Sequence, residues 1–286
     1  MIRTLPTTRT YRIGFGVFSA AYFIFLFAPL VIVCVLAFND SMFPSLPWYG
    51  FTLDWFIGKG PKKVGLFYHP MNMTAILTSL RVALGVSLLS TVVGTCAAFL
   101  FEQEEFRFKK LFYLLMIAPM VVPGVILGIS ILSFANSLGV LLEQSLGIDL
   151  RLLSPGLLLV TFGQSTFITT FVTLVIIARL KKFDRTLEDA AYNLGATRFE
   201  VIWHITLKYL RPSIIGGAAV AFLLSFENFN TTLFLIGSKP TLPIALFAQI
   251  RDGGSPVVNA VSVLLMFGMS VVALGNLYLS RKSDAQ

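Results

Sequence analysis

Charge is what this chain has least of. Only 13% of its 286 residues are charged, against 56% hydrophobic, a balance that excludes an ordinary soluble globular protein of this length. Cysteine is nearly absent. Cys34 and Cys96 both fall within apolar runs, which excludes a disulfide framework or a cysteine-based metal site and leaves them as packing residues. The only histidines, His69 and His204, fall on opposite sides of the membrane once the spans are assigned, so they cannot share a site. No G-x-x-x-x-G-K-[ST] sequence occurs, so ATP is not bound through a P-loop. No nucleophile–base or metal constellation is visible either, and there is no evident repeat or low-complexity tract. The expectation is a non-catalytic chain with no catalytic residue, metal or cofactor of its own, driven by a separate ATPase or by an ion gradient.

What is present is long apolar runs. Stretches of the roughly 20 residues needed to cross a bilayer as helices are read at about 13–38, 74–101, 110–135, 154–178, 212–236 and 257–279. The fold class expected is an all-α integral membrane protein, a single transmembrane domain over 1–286 with six transmembrane helices. The first span resembles a signal peptide through its basic flank and Val35-Leu36-Ala37, but its apolar run exceeds a signal h-region and is taken as an uncleaved helix. A net charge of +8 raises nucleic acid as a partner, yet its distribution excludes it. Arg3, Arg9, Arg12, Arg107, Lys109, Lys110, Arg281, Lys282 and seven basic residues between Arg179 and Arg211 put fifteen positive charges on one face, against six on the other. By the positive-inside rule both termini and the loop 179–211 face the cytoplasm.

That loop holds TLEDAAYNLGATRFEVIWHITLKYLR, Thr186–Arg211. Thr186 suits an N-cap, with Leu187, Glu188 and Asp189 in a first turn that favours negative charge. Leu187, Ala190, Ala191 and Leu194 recur at offsets of three and four, a narrow apolar stripe whose alanines permit close approach of another surface. Gly195 closes this helix through the left-handed conformation, and a second helix starts near Thr197. The alternative is a solvated loop with incidental helicity.

Within the membrane, Pro119 and Pro123 interrupt the third span and free backbone carbonyls. Gly124 and Gly128 form a small-xxx-small face for packing, with gating as the other role. Glu227 sits in LSFENFNTT, well inside the fifth span, where a carboxylate facing lipid costs a few kcal/mol. It therefore faces a translocation path together with Phe226, Asn228, Phe229, Asn230 and Thr231, or else forms a structural bond to a partner subunit. A path of this kind suits a small cationic solute, the two phenylalanines flanking it. Arg81 either snorkels to the external interface or opposes a cation beside the path. The external segment 39–73 carries Trp48, Tyr49, Phe51, Trp55 and Phe56, which suit the lipid–water interface or a short helix that receives a delivered protein.

The spacing Asp189-Ala190-Ala191, three residues, Gly195, nine residues, Ile205-Thr206-Leu207 closely resembles the EAA loop, E-A-A-x3-G-x9-I-x-L-P, of permease subunits of ATP-binding-cassette (ABC) importers. Asp189 stands for Glu and Lys208 for Pro. WYGFTLDWF, ARLKKFD before the loop, LSFENFNTTLFLIG and GGSPVVNAVSVLLM resemble the spermidine/putrescine branch, with Asn228 and Val257 in place of two of its acids. The resemblance implies a type I importer permease in a bacterial cytoplasmic (inner) membrane. Its implied partners are an ABC ATPase dimer, which binds the ATP and magnesium, a second permease subunit that differs from this chain or is a copy of it, and a periplasmic or extracellular binding protein. It implies that Thr186–Leu194 rests in the ATPase groove, Ala190 and Ala191 against its surface, Glu188 and Asp189 meeting basic groups there. Polyamines are the expected solute, with opines, other cationic amino compounds and phosphonates as alternatives, and a gradient-driven secondary transporter as the rival class.

Overall fold

The computed structural model describes residues 8–60, 63–147 and 150–284, with the backbone alone for Arg151, Val272 and 276–284. Among these, six helices are long and apolar enough to cross a membrane: Arg9–Leu36, Pro70–Gln103, Gly124–Leu146, Leu157–Leu180, Arg198–Phe226 and Val257–Gly275. The described residues form two compact units, one within 1–69 and 249–267 and the other within 70–248 and 268–286.

In the first unit, α1 (Arg9–Leu36) starts at Thr8, whose hydroxyl accepts from the Tyr11 amide, and it buries no residue. The chain then turns around Asn39, 1% exposed. Its amide donates to the Ser45 and Pro47 carbonyls at 3.2 and 3.1 Å and its oxygen accepts from the Tyr49 amide at 2.9 Å. The Trp55 indole, on the short helix α2 (Asp54–Ile57), donates to the Asn39 carbonyl at 2.8 Å. Trp55 is thus buried as the centre of this unit rather than placed at an interface, whereas Trp48, Tyr49 and Phe51 remain exposed. An antiparallel ribbon, β1 (Lys59–Gly60) and β2 (Lys63–Val64), carries Lys63, which pairs with Asp40 and lies 3.7 Å from Asp54.

The second unit is built on three packed helices, α3 (Pro70–Gln103), α6 (Leu157–Leu180) and α9 (Leu207–Phe226). The buried stripe of α3 runs Ala75, Ser79, Val82, Val86, Ser90, Gly94, Ala98, Phe101, steps of three and four in which small residues admit a neighbouring backbone closely. Val172 of α6 fits between two of the glycines. A Cβ on Gly94 would lie 3.0 Å from the Val172 Cβ, and one on Gly217 of α9 would lie 3.2 Å from its Cγ1. Side-chain hydroxyls add interhelical bonds, Ser87 to the Ala218 carbonyl at 2.7 Å and Thr170 to the Met116 carbonyl at 2.6 Å.

Two helix boundaries depart from the hydropathy runs. The run 110–135 is not one span but α4 (Lys109–Val121) and α5 (Gly124–Leu146). Pro123 holds Val122 extended, at φ −75° and ψ 128°, as the residue before a proline prefers, while Pro119 stays inside α4. The run 212–236 is displaced. Its helix begins at Arg198, within the expected loop 179–211, and ends at Phe226. It consists of α8 (Arg198–Val201), a π-helical turn Ile202–Thr206 and α9.

Candidate functional site

The connection between α6 and α8 carries α7 (Thr186–Asn193). Its start differs from expectation: Thr186 is the first helical residue rather than the cap, because its hydroxyl donates instead of accepting. The Thr186 amide and hydroxyl both reach Asp184 Oδ1, at 3.0 and 2.8 Å. Those two bonds, the hydroxyl's first, hold the Asp184 carboxyl below its ordinary range. At the other end Gly195 adopts φ +87°. The Ala196 amide donates to the Ala191 carbonyl at 3.1 Å and the Gly195 amide to the Tyr192 carbonyl at 2.9 Å, a Schellman closure. Thr197 then opens α8 through a reciprocal capping box with Glu200.

The outer side of this element is apolar and uncovered. Leu187, Asp189 and Ala190 are exposed and Ala191 half-buried, and Leu194 is 90% exposed. Beside them stand exposed Tyr192, Phe199 and Trp203, the last two ring-stacked at 6.0 Å. Their signal in the sequence was a cluster of aromatics inside a charged loop, which the motif spacing does not include. Ile205 and Leu207 belong to the helix instead, half-buried, with Ile205 against the core.

The inner side is polar and tied to the end of α3. Glu188 accepts from the Thr206 hydroxyl, and its Oε1 lies 3.5 Å from the Gln103 amide. Arg185 donates to the Glu102 carbonyl at 2.9 Å, and Arg198 pairs with Glu104. Gln103, Glu104, Arg185, Glu188 and Arg198 line a cavity of about 200 Å3 with Tyr192 and Ile202. Glu188 and Asp189, adjacent in sequence, therefore face different surroundings. One is bonded inside the chain and the other is open.

The expected path residues cluster at the far end of α9, where Phe226 is the last helical residue and 227–231 lie outside a helix. Glu227 is the C-cap of α9 and is exposed, so its place is a break in the helix rather than the middle of a span. Beyond the break, Asn228 Oδ1 accepts from the Thr232 amide and hydroxyl at 3.3 and 3.0 Å, Thr232 being the first residue of α10 (Thr232–Leu235). Behind it lies a buried network that sequence reasoning missed. Gln164 of α6, 0% exposed, donates to the Thr232 hydroxyl at 2.6 Å and accepts from Ser225. A glutamine inside an apolar run was the available signal.

Asn230 is exposed like Glu227, and Asn228 and Phe229 are half-buried. Phe229 packs on Phe247 with ring centroids 5.0 Å apart. Phe226 and Thr231 are buried and support the break from within. Gly124 and Gly128 pack closely, against this break rather than against a helix. A Cβ at Gly124 would meet Asn230 at 3.0 Å, and one at Gly128 would meet the Thr231 carbonyl at 2.8 Å. The Pro123 break between α4 and α5 and the break after α9 are therefore neighbours. Arg81 is exposed on α3 and makes no ion pair among the described residues. Pro119 is half-buried and Pro123 exposed.

The backbone has known counterparts. It superposes on a bacterial alginate ABC transporter solved in complex with an alginate pentasaccharide-bound periplasmic protein, at a TM-score of 0.72 and 17% identity, covering 96% of this chain and 94% of that one. It also matches the MetNI methionine ABC transporter at a TM-score of 0.53 and 14% identity, covering 75% of this chain and 98% of that one. The fold is that of a type I ABC importer permease. Residues 90–284 match the family described as binding-protein-dependent transport system inner membrane component, and the chain belongs to that family. Among its relatives, the putrescine transport system permease protein PotI of Escherichia coli (strain K12) is 32% identical over 266 residues, 92% of this chain and 89% of that protein. The spermidine/putrescine transport system permease protein PotC of the same strain is 28% identical over 267 residues, 93% of each.

Proposed function

We propose that this chain forms half of the translocation path of an ATP-driven importer for a small cationic amine, a polyamine such as putrescine or spermidine, in the bacterial inner membrane. The observation that carries the proposal is the α7 element. Its capped short helix, glycine closure and uncovered apolar face at Leu187, Ala190 and Leu194 give a self-contained knob suited to a groove on another protein. In this reading the knob faces the cytoplasm and docks on an ABC ATPase, which supplies ATP and magnesium, so this chain carries no cofactor. A second permease subunit completes the path, and a binding protein delivers solute from outside.

The choice of solute is supported by the putrescine and spermidine permeases among the relatives and by the chemistry of the break after α9. Glu227 and Asn230 are exposed there, at the C-terminal end of a long helix where backbone carbonyls add negative potential. An ammonium group is complementary to that surface. A single carboxylate also suits an opine, because the neighbouring Asn228 is an uncharged amide.

The test is the ATPase activity of the reconstituted complex across binding protein loaded with putrescine, spermidine, opines or phosphonates. Stimulation by the polyamine-loaded protein is expected. Stimulation by another solute alone discards the polyamine assignment and keeps the importer. Transport by this chain alone, driven by a gradient, overturns the importer reading. Glu227→Gln is expected to impair polyamine uptake more than complex assembly, and unchanged uptake kinetics would make Glu227 structural.

A further inference from the structure

The two acidic residues at the start of α7 do different work in this fold. Asp189 is open to a partner, while Glu188 is half-buried and turned toward the chain. Its carboxylate accepts a hydrogen bond from the hydroxyl of Thr206, a residue with no exposure. Thr206 is the last residue of the π turn Ile202–Thr206, where the Leu207 amide reaches back to the Ile202 carbonyl. One extra residue in a turn rotates the remainder of the helix by about 100° about its axis relative to an uninterrupted α-helix. The π turn therefore sets which face α9 presents to α3 and α6, and the far end of α9 carries the Glu227 break.

We infer that Glu188 is a positioning residue for coupling: a strut that joins the docking helix to the π turn, so that displacement of α7 moves α9 directly. The inference rests on the proposed docking of α7 on an ATPase. The covalent route from α7 to α8 runs through Leu194–Thr197, where Leu194 and Gly195 are exposed and a Cβ at Gly195 would touch nothing within 4 Å, so that segment is poorly placed to transmit force. The strut bypasses it. Arg185 on Glu102 and Arg198 on Glu104 tie the same assembly to the last turn of α3 and the residue just beyond it. The cavity of about 200 Å3 between them is polar and leaves room for α7 to shift as a unit against the end of α3. A carboxylate accepting a hydroxyl makes one of the stronger hydrogen bonds, and Glu188→Gln keeps an acceptor oxygen at the same place while removing the charge.

The experiment uses the whole reconstituted importer with its binding protein and solute, and measures ATPase retention on purification and solute taken up per ATP hydrolysed. Glu188→Ala is expected to retain the ATPase and lower uptake per ATP at least about fivefold, the low end of a typical coupling free energy. Thr206→Val is expected to do the same, the double variant to be no worse than either single one, and Glu188→Gln to restore most of the ratio. Loss of the ATPase from Glu188→Ala would overturn the strut by making Glu188 part of the docking surface. An unchanged ratio, or additive losses in the double variant, would also overturn it. A separate arm tests docking itself: Leu194→Asp, which lies on the uncovered face and touches no part of the strut, is expected to release the ATPase. Retention there overturns the docking reading and this inference with it.

Discussion

Gly195 offers a perturbation whose magnitude follows from two observations. Its φ of +87° lies in the left-handed region, and a Cβ built on it meets no atom within 4 Å. Replacement by alanine therefore causes no clash, and the whole penalty is conformational, about 1–2 kcal/mol. That corresponds to a loss of roughly 5–30-fold in the population of the closed turn relative to open forms. With eight residues, α7 is too short to persist by itself, so the loss passes into its last turn, which carries Ala191 and Leu194. Hydrogen exchange at the Gly195 and Ala196 amides, whose acceptors are the Tyr192 and Ala191 carbonyls, is expected to accelerate by that factor in Gly195→Ala, and ATPase co-purification to fall with it. Gly195→Asn is expected to keep most of both, because asparagine tolerates the left-handed region. Alanine behaving as glycine, or asparagine proving as damaging as alanine, refutes a conformational origin for the loss.

Other outcomes are expected from the packing. Gly94→Ala places a methyl 3.0 Å from the Val172 Cβ and 3.3 Å from the Thr169 carbonyl, which lowers stability by about 1–3 kcal/mol, and adding Val172→Ala is expected to recover part of it in a thermal unfolding series. Gln164→Leu leaves the Ser225 hydroxyl without its buried acceptor and removes a donor from Thr232, a loss of about 1–3 kcal/mol. Rapid proteolysis or exchange at 227–232 reports it, and unaltered protection there would mean the network is dispensable. Asp184 titrates below its ordinary value in the folded chain, so its support of α7 is present above about pH 4 and is lost as pH falls through the depressed value. Exchange at the Thr186 amide is expected to rise in that acidic window and to become independent of it in Asp184→Asn. Lys63 is raised above 10.5, first by its hydrogen bond to Asp40, so its contribution to the first unit is present below that value and is lost only as pH rises through the raised one. A modestly lower unfolding midpoint for that unit near neutral pH in Lys63→Met, an effect that shrinks as pH rises through the raised value, is the expected contrast.

Much of the site was legible because it is local. Helix caps, the left-handed glycine and the apolar stripe depend on residues within four or five positions, and Gly195 and Thr197 fall where the sequence places them. Thr186 was the exception, since the choice between accepting and donating rested on Asp184 two residues earlier. The span count was legible for a similar reason, as hydropathy is a property of single segments. Helix ends inside apolar runs were not. Pro123 splits one run because it restricts Val122, and the other ends at Phe226 ahead of Glu227, Asn228 and Asn230, a polar dip too short to interrupt a hydropathy run of about 20 residues.

By itself, the sequence determined that the chain is a mostly helical membrane protein with six apolar spans and a short, glycine-closed helix between two of them. These follow from composition, charge distribution and short-range spacing. The tertiary structure decided which side of that knob is free. It turned Glu188 inward to Thr206 and left Asp189 outside, set the two helix breaks against each other through Gly124 and Gly128, and buried Gln164 behind Glu227. Each of those depends on which helices become neighbours, a matter of packing among α3, α5, α6 and α9 that no single segment encodes.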